Sequence, residues 1–234
     1  MTKLDGIFFF LALIATSQTS AFALEATQCE LHVFPTEVFT VADNTQSYAT
    51  TSGGIAGAAI GDLLSVKDPV AIENLLKSTL TAETQNGLLA ALNLNERLVL
   101  KEYKIVFHSP TIDSNALEIA NDQSLKESQK IKKIFYQMQY GPRLSNSQTS
   151  CYAELRVNSI YYEKTPLTKK LYSWFIFRKF GSGVAPTSTF NRSTSTSLNS
   201  FLPSNDQEIE GSKAQLRDAF VGSFRTFVTK AVKR

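Results

Sequence analysis

Histidine, cysteine, methionine and tryptophan are nearly missing from this chain, with 2, 2, 2 and 1 among 234 residues. Zinc sites need clusters of Cys and His at short spacing, and two scattered residues of each do not supply them. A Ser/His/Asp device needs a positioned imidazole beside a nucleophile elbow, and neither His32 nor His108 neighbours one. Both read as ordinary surface or rim histidines. Charge is sparse as well: 19% of residues are charged, and 24 Lys+Arg against 21 Asp+Glu leave a net charge of +3. That balance excludes a dedicated nucleic-acid binder, whose affinity rests on concentrated basic surface. With 43% hydrophobic residues the chain is not a disordered polar one either. Phosphate-cradling patterns are absent, since Gly53-Gly54-x-x-Gly57 lacks both the P-loop lysine and the dinucleotide fingerprint. No metal and no cofactor is expected.

Long apolar runs are missing too. The run Ile7 to Ala15 has 9 residues, well short of the roughly 20 that span a bilayer. With Lys3 before it and Ala21-Phe22-Ala23 after it, this run describes a cleavable secretory signal over residues 1–23, although Asp5 is unusual there. Cys29 follows Ala26-Thr27-Gln28 instead of small residues, so a lipid anchor is not expected. The product, residues 24–234, is then periplasmic or secreted, with no stable membrane span. In an oxidising compartment its two cysteines can pair. Alternation puts Cys29, Leu31 and Val33 on one strand face, and Cys151, Ala153, Leu155 and Val157 on another. If these strands are parallel neighbours with aligned starts, the sulfurs point to the same side, and the closed loop stabilises by about 4–5 kcal/mol. The alternative is two separate buried thiols.

The length suits one domain with a real core. Residues 29–41 read as a strand with a bulge or edge at Pro35, and residues 42–52 as loop. Gly53, Gly57 and Gly61 recur every fourth residue. They make either a close-approach contact face or a flexible or tightly packed internal segment. Asp68-Pro69 starts a helix carrying Ile72, Leu75, Leu76 and Leu80, and a second helix spans Thr81 to Leu92. Alternation from Leu98 to His108 predicts a strand. Residues 123–139 predict a helix with an apolar stripe of Ile131, Ile134, Phe135 and Met138 opposite Lys126, Lys130 and Lys133. Residues 150–163 and 171–180 form a strand-loop-strand hairpin. Residues 182–200 hold 10 Ser/Thr, which predicts an exposed mobile loop over about 182–204, with a sequon at Asn191-Arg192-Ser193. A final helix over about 206–232 turns Leu216, Ala219, Phe220, Ser223, Phe224, Phe227 and Ala231 inward. The expected fold is α+β, a single domain with a mixed sheet of four to five strands covered mainly on one face by three to four helices.

Cys29-Glu30-Leu31-His32-Val33-Phe34-Pro35, Cys151-Tyr152-Ala153-Glu154-Leu155 and Phe175-Ile176-Phe177-Arg178-Lys179-Phe180 resemble a group of secreted alphaproteobacterial proteins that brings no established activity. In element order alone the chain looks like the periplasmic α/β modules of curli-secretion-type and penicillin-binding-protein-activator lipoproteins, which assemble or regulate envelope machinery. The export signal, the missing catalytic constellation and the glycine-spaced segment point to a non-enzymatic envelope protein whose partner is another envelope protein. Candidate contact residues are Gly53, Gly57 and Gly61, and Tyr172, Trp174 and Arg178 from an aromatic-basic stretch suited to anionic lipid or glycan. The rivals are a hydrolase or glycan-processing enzyme using carboxylates such as Glu154 and Glu163, and a carrier holding a small apolar ligand among residues 161–180.

Overall fold

A computed structural model describes residues 28–43, 69–111, 113–165, 167–199, 201–203 and 206–232. The expected signal over 1–23, the glycines at 53, 57 and 61, and the helix cap at Asp68 lie outside the described residues. The strands are β1 (Glu30–Phe34), β2 (Phe39–Asp43), β3 (Lys104–Phe107), β4 (Tyr152–Lys164), β5 (Lys169–Phe180) and β6 (Pro186–Ser197). The helices are α1 (Pro69–Thr79), α2 (Ala82–Ala90), α3 (Leu94–Arg97), α4 (Ser114–Asn121), α5 (Glu127–Tyr140) and α6 (Ile209–Val232). The strands join in one mixed sheet of order β3-β1-β4-β5-β6, with β2 also pairing β4. The α+β expectation holds, with a sixth strand added. Among the described residues no helix is long and apolar enough to cross a membrane.

Period-two alternation builds the core face. It carries Leu31 and Val33 from β1, Ala153, Leu155 and Val157 from β4, and Leu171, Phe175 and Phe177 from β5. An irregularity between Val157 and Ser159 shifts the phase by one residue, so Ile160 and Tyr162 continue on that same face. Opposite that bulge the first strand breaks. β1 and β2 follow one another along β4 in parallel register, separated at Pro35, which cannot donate to the ladder. The fully buried Gln85 of α2 fills the break, accepting from Thr36 N at 3.0 Å and donating to Thr36 O at 2.8 Å and Leu80 O at 2.7 Å. Here an amide side chain stands in for the missing strand partner, as buried backbone groups require.

Helix α6 covers this face as its spacing demands, burying Leu216, Ala219, Phe220, Ser223, Phe224, Phe227 and Val228. Phe175 meets Phe220, Phe224 and Phe227 at ring-centroid distances of 5.8, 5.4 and 5.2 Å. Where α6 crosses β6 the Thr196 side chain packs against Gly222, where a Cβ would fall 2.9 Å from Thr196 Oγ1. Helices α1, α2 and α3 complete the layer through Ile72, Leu76, Leu89 and Leu94. Thr81 caps α2, its hydroxyl accepting from Thr84 N.

Four expectations are corrected. The segment expected as a mobile loop over 182–204 holds β6, a strand of 12 residues antiparallel to β5, because its Ser and Thr fit a pleated, half-buried surface once a partner strand is beside them. The strand expected from Leu98 is only Lys104–Phe107; Val99 and Glu102 take φ of 53° and 55°, which ends extension there. Helix α5 exists, but it buries no residue, and its stripe leaves Ile131 and Phe135 exposed. Asp43, expected in loop, closes β2. Helix α4 was not foreseen; Asp113 caps it, accepting from Asn115 N and Ala116 N.

Cys29 and Cys151 stand one residue before strands paired as Glu30↔Tyr152, and they are joined by a disulfide across 122 residues of sequence. We predict that C29A/C151A lowers the unfolding free energy by about 4–5 kcal/mol, the chain-entropy value for so long a loop. Denaturant titration of the protein with and without reductant reads this directly; coincident transitions would contradict it.

Candidate functional site

The second face of the sheet alternates with the core face and sets a charged row among buried rings such as Phe34, Tyr152 and Phe180. Its central row runs His32, Glu154, Arg178, Thr189 across β1, β4, β5 and β6. Alternation alone dictates that these side chains share a side. Burial of charge there is costly unless every charge is partnered. Glu154 meets that demand with four donors: Leu144 N at 2.6 Å, Tyr152 OH at 2.8 Å, Arg178 Nε at 2.9 Å, and Arg178 Nη2. The rest of the Arg178 guanidinium donates to Gly141 O at 3.0 Å and Pro142 O at 3.2 Å. Arg143 adds bonds to Ser147 O, Thr149 O and Gly181 O and lies 4.8 Å over the Tyr152 ring. The two arginines thereby strap residues 141–150, which leave α5, onto the sheet.

Burial, then the Glu154 carboxylate, pushes the Tyr152 phenol well above its ordinary value. It therefore stays a proton donor to Glu154 throughout the neutral range. With every oxygen of Glu154 engaged, that carboxyl is not poised as a catalytic acid.

A hydrogen-bonded chain lies beside this clamp. Ser147 Oγ donates to Glu30 Oε2 at 2.5 Å, the same oxygen lies 3.0 Å from His32 Nε2, and His32 Nδ1 lies 2.7 Å from His108 Nε2. A carboxylate only accepts, so His32 carries its proton on Nε2, and His108 donates through Nε2 to His32 Nδ1. His108 is packed flat on Phe34, with ring centroids 4.5 Å apart and planes at 11°. The chain opens onto a shallow depression of about 650 Å³ lined by Glu30, His32, Lys104 and residues 145–149. Ser147 is bonded to a carboxylate and not to an imidazole, so this chain does not activate it as a nucleophile. Among the described residues no group of three His, Cys, Asp or Glu could hold a metal ion.

The expected contact residues fare differently. Arg178, expected as a contact residue, is 2% exposed and consumed by Glu154 and two carbonyls, so it is corrected to an internal clamp. Tyr172 is half-buried, stacked on Tyr161 at 4.5 Å and 4°, its phenol pushed up to about 12 by a hydrogen bond with Glu163 and by burial. Trp174 packs against Phe135 of α5 at 5.0 Å. His32 is buried and paired with His108, which corrects its reading as a surface or rim histidine; His108 is half-buried. No sequence signal announced this pair, because it depends on β1 lying beside β3.

Two measurements test the site. Removing one partner of the clamp (E154Q or R178M) should cost about 3–5 kcal/mol. The double variant should be less destabilised than the summed singles by at least about 1 kcal/mol, and simple additivity in urea unfolding would break the coupling. Burial, then His32, holds the His108 imidazole below its ordinary value of 6.5. The folded protein thus binds that proton later than the unfolded chain, so stability is full above about pH 6.5 and falls as pH drops below it. Glu30, held low by Ser147 and His32, contributes stability above about pH 4.5 that is lost below it, a separate window. H108N should flatten the fall between about pH 6.5 and 5 in thermal unfolding, and an unchanged slope would exclude His108 as its source.

No known protein family matches this sequence, and no curated protein is similar to it. Among solved structures, a hypothetical protein of Chlamydia trachomatis aligns over 88% of this chain and 95% of its own, with 14% identity and a TM-score of 0.35. A lipoprotein of Neisseria meningitidis aligns over 81% of this chain and 96% of its own, with 11% identity and a TM-score of 0.22. At these scores the likeness carries no inference.

Proposed function

We propose that this is an exported, non-enzymatic accessory protein of the cell envelope that works by protein–protein contact, adding an extended segment of its partner along β6. The observation that carries the reading is the character of that edge. β6 is 12 residues long, roughly 40 Å, and among the described residues it pairs only with β5. Proteins usually blunt such edges with short strands, charges, prolines or covers. The opposite edge, β3, is short, at 4 residues. β6 has one charged residue, Arg192, and no proline beyond its first residue. Thr187, Ser188, Arg192 and Ser193 are exposed along it. A strand that pairs on one side only can accept another through its backbone donors and acceptors.

Two further features support the reading. The disulfide fits an oxidising compartment, in line with the export signal read at residues 1–23. One of the carboxyls that the hydrolase reading would use, Glu154, is committed to Arg178, Tyr152 and Leu144.

A photo-crosslinking amino acid placed at Ser188 or Arg192 in producing cells should give a discrete adduct in the envelope fraction. The same group at exposed Asn74 of α1 should not. Adducts from Asn74 alone, or intact uncut chain in the cytosol, would refute the proposal.

A further inference from the structure

Exposed apolar side chains gather on the helix pair α4 and α5: Leu117, Ile131, Phe135, Tyr136 and Tyr140. Scattered exposed apolar residues need no explanation, but a contiguous group of them marks a contact surface. Helix α5 buries none of its residues, so these side chains do not serve the core. Directed bonds hold the helix instead. Lys130 Nζ donates to Ala120 O at 2.9 Å, Thr189 Oγ1 to Gln139 O at 2.9 Å, and Arg178 to Gly141 O just past the helix end. A fixed helix thus carries its apolar side chains outward.

At about 3.6 residues per turn, α5 presents two neighbouring rows, Ile131–Phe135 and Lys132–Tyr136–Tyr140. Tyr136 is 67% exposed, and its ring lies 5.0 Å from that of Tyr140. Lys133 stands on the far side of the second row. Among the described residues, neither Lys132 nor Lys133 joins a salt bridge. Glu127 in the first turn is the only acid of α5, against Lys130, Lys132 and Lys133. Asp122, ahead of the helix, has a carboxylate oxygen engaged by Ser124 N and Ser124 Oγ.

Charge decides what this face can meet. A protein partner would bury Lys132 between Phe135 and Tyr136, and interface centres are depleted of charge. A second copy in two-fold symmetry would set these lysines against themselves. An anionic headgroup layer offers phosphates at every register, and tyrosine and lysine are residues suited to that depth. We propose that the outer face of α5 rests on anionic lipid, with Ile131, Phe135, Tyr136 and Tyr140 in the interface and Lys132 and Lys133 on phosphate. This contact lies over the second face of the sheet, away from the outer side of β6, and does not depend on the edge reading.

The protein purified from producing cells is sedimented with phosphatidylcholine vesicles, with and without about one third phosphatidylglycerol. It should bind the anionic vesicles alone. Binding should fade as salt rises from about 0.1 to 1 M, where the Debye length falls from about 10 to 3 Å. K132E/K133E should weaken binding at least about tenfold. Y136S/Y140S, which leaves the charge unchanged, should weaken it at least about threefold. Both pairs are exposed, so the denaturant midpoint should hold; if one variant fails to fold, the other decides. K101E/K230E makes the same charge change at exposed sites after α3 and in α6, and should bind within about twofold of the unaltered protein. Trp174, the single tryptophan of the chain, packs on Phe135, so nitroxide-labelled lipid should quench its emission. No binding to anionic vesicles, equal binding to both vesicle types, equal loss in K101E/K230E, or binding without quenching of Trp174 would overturn the proposal. A dimer in ultracentrifugation that Y136S/Y140S disperses would overturn it too, by giving the face to a second copy.

Discussion

The in-register parallel pairing of β1 with β4 is the constraint on which the structure depends. Glu30↔Tyr152 brings Cys29 beside Cys151, so a covalent bond closes where the two strands begin. The same register puts Leu31 and Val33 against Ala153 and Leu155 on the core face, and His32 beside Glu154 on the other. A slip of β1 by one residue would turn His32 toward the core face and Leu31 and Val33 away from it. The disulfide and the hydrophobic pattern therefore select one and the same alignment.

The second face carries a different burden. A buried Glu–Arg pair is weak evidence of net stability, since desolvation can cancel the attraction. Its structural effect is clear, however: it ties residues 141–144 to two central strands through Leu144 N, Gly141 O and Pro142 O. The segment leaving α5 is thereby positioned although α5 buries none of its own residues. The Glu30–His32–His108 chain fixes the β1–β3 side in the same manner, by directed hydrogen bonds and not by apolar packing.

Among the described residues the sheet ends in a strand that pairs with β5 alone. β6 is held from one side by β5 and from above by α6, whose Ser223 carbonyl accepts from Thr194 Oγ1 at 2.8 Å. The hydroxyls that make β6 read as loop are the groups that tie it to α6. Rigid support behind and pairing on one side only suit a surface that receives an extended partner.

The sequence by itself determined whatever depends on short-range period and on local chemistry. The alternation around Cys29 and Cys151, the hairpin of residues 150–180 and the inward stripe of the last helix were all legible, because a strand or helix face is set by the spacing of its own residues. Only the tertiary structure decided what those faces meet. Arg178 reads as a surface charge until β5 lies beside β4 and Glu154 faces it; His32 and His108, 76 residues apart, meet only because β3 lies against β1. Ser- and Thr-rich residues 186–197 become a strand only when β5 offers an edge to pair with. Local propensity is worth tenths of a kcal/mol per residue, whereas the partner across a sheet decides whether a charge is solvated or buried, and that partner is chosen by the whole chain.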